Sequence, residues 1–136
     1  MKCVSSFFFG LIVTQMVNCE VDVHNFCLKK TKLNNNEVYS TLTNEETSLD
    51  SKVGPFFLCI WKTKGVMEND GSINMLKLQD FSEAELNRVR DITDDDKRII
   101  KTKLFECNLL PRDKQEETAI KIKNCHMKTV VGIITP

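Results

Sequence analysis

Residues 56–73 read FFLCIWKTKGVMENDGSI and carry the strongest signal for a buried helix in the chain. Its apolar side chains continue through Trp61 without a polar face, which is typical of a buried helix. Gly65 is the kind of residue that follows a helix end, and Asn69-Asp70-Gly71 has the composition of a turn. The stretch therefore predicts a buried third helix that stops at Gly65 and is followed by a turn.

Shorter helical signals precede this stretch. Val23, Phe26 and Cys27 share one face of a predicted first helix, and Val38 with Leu42 indicates a short second one. No alternating apolar pattern is long enough to indicate strands. We therefore predict an all-α fold.

Three helix-start signals follow the turn. Ser72 is predicted to cap a fourth helix, and Ser82 with Glu85 forms a capping box that predicts the start of another helical piece. Thr93 with Asp96 repeats the capping-box signature, and the helix that it starts is predicted to end near residue 108. We read the run 94–96 as carboxylates favoured in a first helical turn, in preference to a calcium or magnesium site.

The last part of the chain combines a helix with a different kind of segment. Asp113 is predicted to open the final helix, which carries Ala119, Ile122 and Cys125 on one face. Residues 129–136 are apolar and β-branched and carry no helix signal. We predict that they form an ordered tail.

The amino terminus has the outline of a secretory signal peptide. Lys2 precedes an apolar run over residues 7–17, which is too short to span a bilayer. We place the signal at residues 1–19 and the mature domain at residues 20–136, and we disfavour a lipoprotein anchored through Cys19. Removing the signal takes away Lys2 and no acidic residue, so 18 basic and 19 acidic residues leave a formal charge of −1. That balance argues against nucleic-acid binding, and no mature segment is apolar enough for membrane insertion.

Six cysteines occur in the chain, and two of them lie in the predicted signal. The mature domain keeps Cys27, Cys59, Cys107 and Cys125, and an even count in a secreted chain predicts disulfides. Three pairings are open to four cysteines. The spacings do not suit a zinc site, so we predict no metal.

The cysteine frame resembles that of the insect odorant-binding proteins, over essentially the whole mature chain. In that family's six-cysteine pattern, the second cysteine lies four residues before the third and the fifth nine residues before the sixth. Pro55 and Glu116 occupy those two positions here. Because the two missing cysteines pair with each other in the family, their joint absence removes one whole bridge. The chain therefore resembles the four-cysteine (Minus-C) subgroup of the pheromone/general odorant-binding protein family.

This resemblance implies a fold, a pairing and a function. It implies about six short helices that enclose an apolar cavity, with Cys27 bonded to Cys59 and Cys107 bonded to Cys125. It implies a secreted carrier that takes up small hydrophobic molecules such as odorants or pheromones and delivers them through aqueous lymph, with an olfactory receptor as a further partner. The protein would be a monomer or weak dimer, without a cofactor.

Apolar side chains of the predicted helices and tail are the candidate walls of such a cavity. We expect the tail to form part of the wall or a lid, with Gly132 giving the backbone freedom to turn. The candidate ligand-binding residues are Phe57, Ile60, Trp61, Met67, Ile73, Met75, Leu76, Ile100, Leu104, Ile122, Val131 and Ile133.

Two other classes of function compete with the carrier. For an enzyme, the chain offers only His24 and His126 as histidines, lacks the Gly-x-Ser-x-Gly and His-Glu-x-x-His motifs, and uses its mature cysteines in bridges. We therefore predict no catalytic residues. A secreted helical signalling or salivary effector protein, acting through its surface, stays open. Displacement of a fluorescent hydrophobic probe would separate it from a carrier.

Overall fold

The computed structural model describes residues 23–42 and 46–135, so the predicted signal peptide lies outside the described residues. Six helices cover most of this part of the chain. They are α1 (residues 23–31), α2 (Asn35–Leu42), α3 (Gly54–Thr63), α4 (Met75–Val89), α5 (Asp94–Glu106) and α6 (Gln115–Ile134). The only β pairing among the described residues is an isolated bridge between Met67 and Ile73. The all-α prediction is confirmed.

Helix α3 lies at the centre of the fold, as its sequence predicts. Phe56, Phe57 and Trp61 are buried, and the Trp61 indole N–H donates to the Ala119 carbonyl of α6 across 2.8 Å. The helix ends at Thr63, and Gly65 follows with a φ of 79°. That left-handed conformation strains other residues but not glycine, which explains why the chain turns here.

Two disulfides staple the bundle. Cys27–Cys59 joins α1 to α3, and Cys107–Cys125 joins the end of α5 to α6. Both pairings that the resemblance implied are confirmed. On the chain-entropy model, each bridge contributes on the order of 3 kcal/mol, which matters in a domain with a small core.

Helix α4 corrects the prediction of two separate helical pieces. The helix runs unbroken from Met75 to Val89, and its cap is Asn74, whose side chain accepts from the Lys77 N–H at 3.0 Å. Ser72 instead donates its hydroxyl to Asp70 in the turn. Ser82 lies in the middle of α4 and is fully buried, with its hydroxyl beside His126. At an N-cap, the serine hydroxyl would accept from a backbone N–H. The capping-box prediction failed because the Ser82 hydroxyl is bonded to His126 instead.

The capping box at the start of α5 is confirmed. Thr93 Oγ1 accepts from the Asp96 N–H at 3.1 Å, and the Asp96 carboxylate accepts from the Thr93 N–H at 2.9 Å. Arg90 donates to both oxygens of the same carboxylate. Arg90 first, and then Thr93, holds the pKa of Asp96 well below its usual range. Asp96 therefore has a structural role at a helix start.

Helix α6 corrects the prediction at both of its ends. It begins at Gln115 with Lys114 at the cap, two residues beyond the predicted start at Asp113. At its other end it continues to Ile134, so the predicted non-helical tail is wrong. Thr129 and Val130 are buried, and Ile133 packs on the core, along the face that carries the buried residues of the preceding turns. Burial of that face outweighs the weak helix propensity of β-branched residues.

No helix of residues 23–42 and 46–135 is both long enough and apolar enough to cross a bilayer.

Candidate functional site

A cavity of about 350 Å³ lies between α1, the end of α2, α3, α4 and α6. Most of its wall is aromatic or aliphatic, and charged groups are few. The lining residues are Val23, His24, Leu42, Phe56, Phe57, Ile60, Trp61, Lys64, Phe81, Glu85, Arg88, Lys123, His126 and Met127.

Three rings form one wall. Trp61 of α3 and Phe81 of α4 meet edge to face with centroids 5.0 Å apart, and the His126 ring of α6 lies 5.0 Å from Phe81 and 6.2 Å from Trp61. Edge-to-face contacts of this kind stabilise a fixed ring arrangement. Because the indole N–H of Trp61 is bonded to the Ala119 carbonyl, this wall offers the cavity mainly apolar surface.

His126 is the polar member of that wall. Its side chain is buried, with 6% of the residue exposed, and Nδ1 lies 2.8 Å from the Ser82 hydroxyl oxygen. Burial, and secondarily the Lys123 charge, lowers the pKa of His126 to about 4. The imidazole is therefore neutral at physiological pH. Ser82 does not line the cavity, so the His126 ring faces the cavity and the Ser82 hydroxyl does not.

Lys123 is a buried cation that lies one turn before His126 on α6. Its Nζ donates to Thr47 Oγ1 at 2.6 Å, and burial lowers its pKa against the opposing effect of Glu46. Asn124 binds the backbone of Thr47 at both its N–H and its carbonyl. The two neighbouring side chains of α6 thus hold Thr47 against the bundle.

Charged side chains from α4 and the end of α3 mark the mouth of the cavity. Glu85 and Arg88 lie on α4 with a carboxylate-to-guanidinium separation of 3.5 Å, and Lys64 follows α3. The same three residues and Phe81 also line an adjoining groove of about 230 Å³. The site therefore has an apolar interior and a charged, solvent-facing rim, which suits a small apolar ligand.

The structure brings together three of the twelve residues predicted as ligand-binding. Phe57, Ile60 and Trp61 line the cavity, all from α3. The other nine lie elsewhere in the fold. Met67, Ile100, Leu104 and Ile122 are buried in the solid core, Ile73, Met75 and Ile133 pack on its edge, Leu76 is 74% exposed, and Val131 lines a separate, more polar concavity beside Cys107.

The expected lid has no counterpart in this arrangement. Val130, Val131 and Ile133 belong to the last turns of α6, and none of them lines the cavity. Gly132 is a helical residue there and makes no turn. The segment packs on the core because its side chains continue the buried face of the helix.

Sequence reasoning missed lining residues on α4 and α6, although the sequence carried a signal for them. Phe81, Glu85 and Arg88 are spaced by four and three residues, and Lys123, His126 and Met127 by three and one, so each set shares a helix face. His126, the one histidine of the predicted last helix, was the sharpest available clue. Which face looked into a cavity depended on the rotation of each helix, which the pattern alone does not determine.

The comparisons with known proteins identify the family. The sequence profile of the PBP/GOBP family matches residues 13–129, which is most of the chain. No curated protein and no solved structure matches it. The helices, the two bridges and the apolar cavity agree with the profile match, and the chain therefore belongs to the PBP/GOBP family, the insect odorant-binding proteins.

Proposed function

We propose that this chain is a four-cysteine carrier that binds one small hydrophobic molecule, such as an odorant or pheromone, and transports it through aqueous lymph to an olfactory receptor. The observation that supports the proposal most directly is the cavity between α3, α4 and α6, with its aromatic wall and charged rim. The family is one of carriers for small hydrophobic ligands, and the proposal assigns that activity to this cavity.

Binding would come mainly from apolar surface removed from water, at roughly 25 cal/mol per Å². A volume of about 350 Å³ is near the lower end of the roughly 300–1,000 Å³ typical of ligand pockets. We therefore expect compact volatile molecules to bind better than long-chain lipids. Met127 is a half-buried wall residue with an adaptable side chain, which favours a range of ligands over a single exact fit.

Secretion is part of the proposal. It rests on the signal-like residues 1–19 and on two disulfides, which form and persist in oxidising compartments. We also propose a monomer or weak dimer without metal or cofactor and without catalytic activity.

Binding of the fluorescent probe N-phenyl-1-naphthylamine tests the carrier function. Ile60→Trp is the variant that should block the cavity. Ile60 lines the cavity, so an indole at this position should occupy ligand space and weaken probe binding by at least tenfold. Leu76→Trp is the matched control because Leu76 is 74% exposed and lines no part of the cavity. The control should bind the probe like the unsubstituted protein.

Two outcomes would contradict the proposal. If neither the unsubstituted protein nor the control binds the probe, the interior is not a binding site, and a signalling or effector function at the surface becomes the better account. If Ile60→Trp binds the probe unchanged while its circular dichroism is native, the ligand lies outside this cavity.

A further inference from the structure

The second ring nitrogen of His126, Nε2, is a polar atom without an assigned role. Nδ1 is bonded to Ser82, whereas Nε2 has no hydrogen-bond partner among the described residues. In the same part of the chain, no fully buried side-chain nitrogen or oxygen lacks a partner. Nε2 must therefore touch open space, and the cavity is the space that His126 lines.

Ser82 determines which nitrogen of His126 carries the proton. The serine hydroxyl has one proton to donate, and His126 Nδ1 is its hydrogen-bond partner within the described chain. If Nδ1 carried the ring proton, it would donate to Ser82, and the hydroxyl proton of a fully buried serine would have no acceptor. Leaving a buried donor unsatisfied costs more than a hydrogen bond gains, so the hydroxyl donates to an unprotonated Nδ1.

The ring proton then resides on Nε2. A neutral imidazole carries one proton, and desolvation with the Lys123 charge lowers the pKa of His126 to about 4, so the ring does not take up a second proton near neutral pH. Nε2–H is accordingly a neutral donor that faces the cavity. Among the other donors near this ring, the Trp61 N–H binds the Ala119 carbonyl and one N–H of the Lys123 ammonium binds Thr47, while Lys64 and Arg88 lie at the charged rim.

We propose that His126 is the residue that determines polar specificity in the cavity, by donating an Nε2–H hydrogen bond to a ligand that carries an acceptor oxygen. The ligand class is small hydrophobic compounds with an acceptor oxygen, of which ketones, aldehydes and esters are examples. This inference rests on the proposed carrier function and adds a chemical class to it. Hydrocarbons and ligands that offer only a donor would leave Nε2–H without a partner.

A matched pair of ligands tests the hydrogen bond. 2-Decanone and 2-methyl-1-decene differ in that the second has a methylene group in place of the carbonyl oxygen. We compare the ratio of their two dissociation constants between protein variants. Hydration of the free ligands is the same for every variant and cancels in this comparison. Replacing the histidine in His126→Phe/Ser82→Ala keeps an aromatic ring and leaves no buried hydroxyl unpaired. We expect this double variant to reduce the relative preference for the ketone by roughly fivefold.

Met127→Leu is the control, because Met127 lines the same cavity without offering a donor. It should keep the ketone preference of the unsubstituted protein. A double variant with native circular dichroism and an unchanged preference would overturn the inference while leaving the carrier function intact. Failure of the unsubstituted protein to bind either ligand would instead count against the carrier function itself.

The tautomer can be measured without any ligand. Long-range ¹H–¹⁵N correlation spectra distinguish a protonated ring nitrogen from an unprotonated one, and we expect His126 to show a protonated Nε2 and an unprotonated Nδ1 at pH 7. A ring protonated at Nδ1 would remove the donor from the cavity and overturn the inference. This readout separates the specificity role of His126 from a merely structural one.

Discussion

At the scale of single residues, the most informative side chain is a histidine enclosed by rings. His126 contacts Trp61 and Phe81 and is bonded to Ser82, so its environment solvates a neutral imidazole well and an imidazolium poorly. The charged residues that line the same cavity are Lys64, Glu85, Arg88 and Lys123. Of these, Lys123 adds to the effect of burial on the His126 pKa.

This environment predicts a pH-dependent stability. Unfolded histidine has a pKa of about 6.5, whereas the pKa of His126 in the folded protein is about 4. Between these values only the unfolded state binds the proton, so the free energy of unfolding falls as the pH falls. We expect a loss of about 2 kcal/mol between pH 7 and pH 5. Urea unfolding at the two pH values measures it.

The His126→Phe/Ser82→Ala variant provides the comparison, because it keeps His24 and every carboxylate. Its stability should change much less over the same pH interval. Equal losses in the two proteins would show that folding does not lower the pKa of His126.

At the scale of helices, the sequence predicted a helix start or end correctly where neighbouring residues supply the interactions that stabilise it. Thr93 and Asp96 bind each other's backbone within one turn, so the start of α5 was predictable. Gly65 adopts a left-handed conformation that needs no distant contact, so the end of α3 was predictable too. Ser82 and Glu85 have the same capping-box signature, but the Ser82 hydroxyl is bonded to His126, which lies 44 positions away in the sequence. The prediction for the end of α6 failed for a similar reason, because the burial of Val130 and the packing of Ile133 on the core favour a continued helix.

Helix α3 approaches α6 closely at Gly54. A Cβ atom built on this residue lies 3.0 Å from the Glu116 Cβ and 3.4 Å from the Ile120 side chain. This is the region where the family's six-cysteine pattern places its third bridge, between the positions of Pro55 and Glu116 here. We predict that Pro55→Cys together with Glu116→Cys forms a third disulfide, which peptide mapping would detect.

Two glycine-to-alanine substitutions should have opposite effects on stability. Gly54→Ala adds a methyl group between α3 and α6 and should cost about 1–3 kcal/mol through overpacking. Gly132→Ala meets no atom within 4 Å. It should stabilise α6 by about 0.5–1 kcal/mol because alanine loses less backbone entropy in a helix.

Thermal unfolding of both variants measures this contrast. A Gly54→Ala protein as stable as the unsubstituted one would show that the two helices can separate without cost. If Gly132→Ala were destabilising, residue 132 would not lie on the exposed side of a helical turn.

At the scale of the whole molecule, the disulfides could be predicted from the sequence better than the cavity wall. The fold class and both bridges were predictable because four cysteines in a known frame leave few arrangements. The cavity wall was predictable on α3, where Phe57, Ile60 and Trp61 line it. It was not predictable on α4 and α6, because helix rotation there follows from the packing of all six helices together.

The most direct test of the carrier account is an isotope-filtered nuclear Overhauser experiment on labelled protein saturated with 2-decanone. The account predicts contacts from the ligand to the methyl groups of Ile60, Met127 and Leu42, and none to Leu76 or Val131. Ligand contacts confined to Val131 and the concavity beside Cys107, or to exposed Leu76, would contradict it.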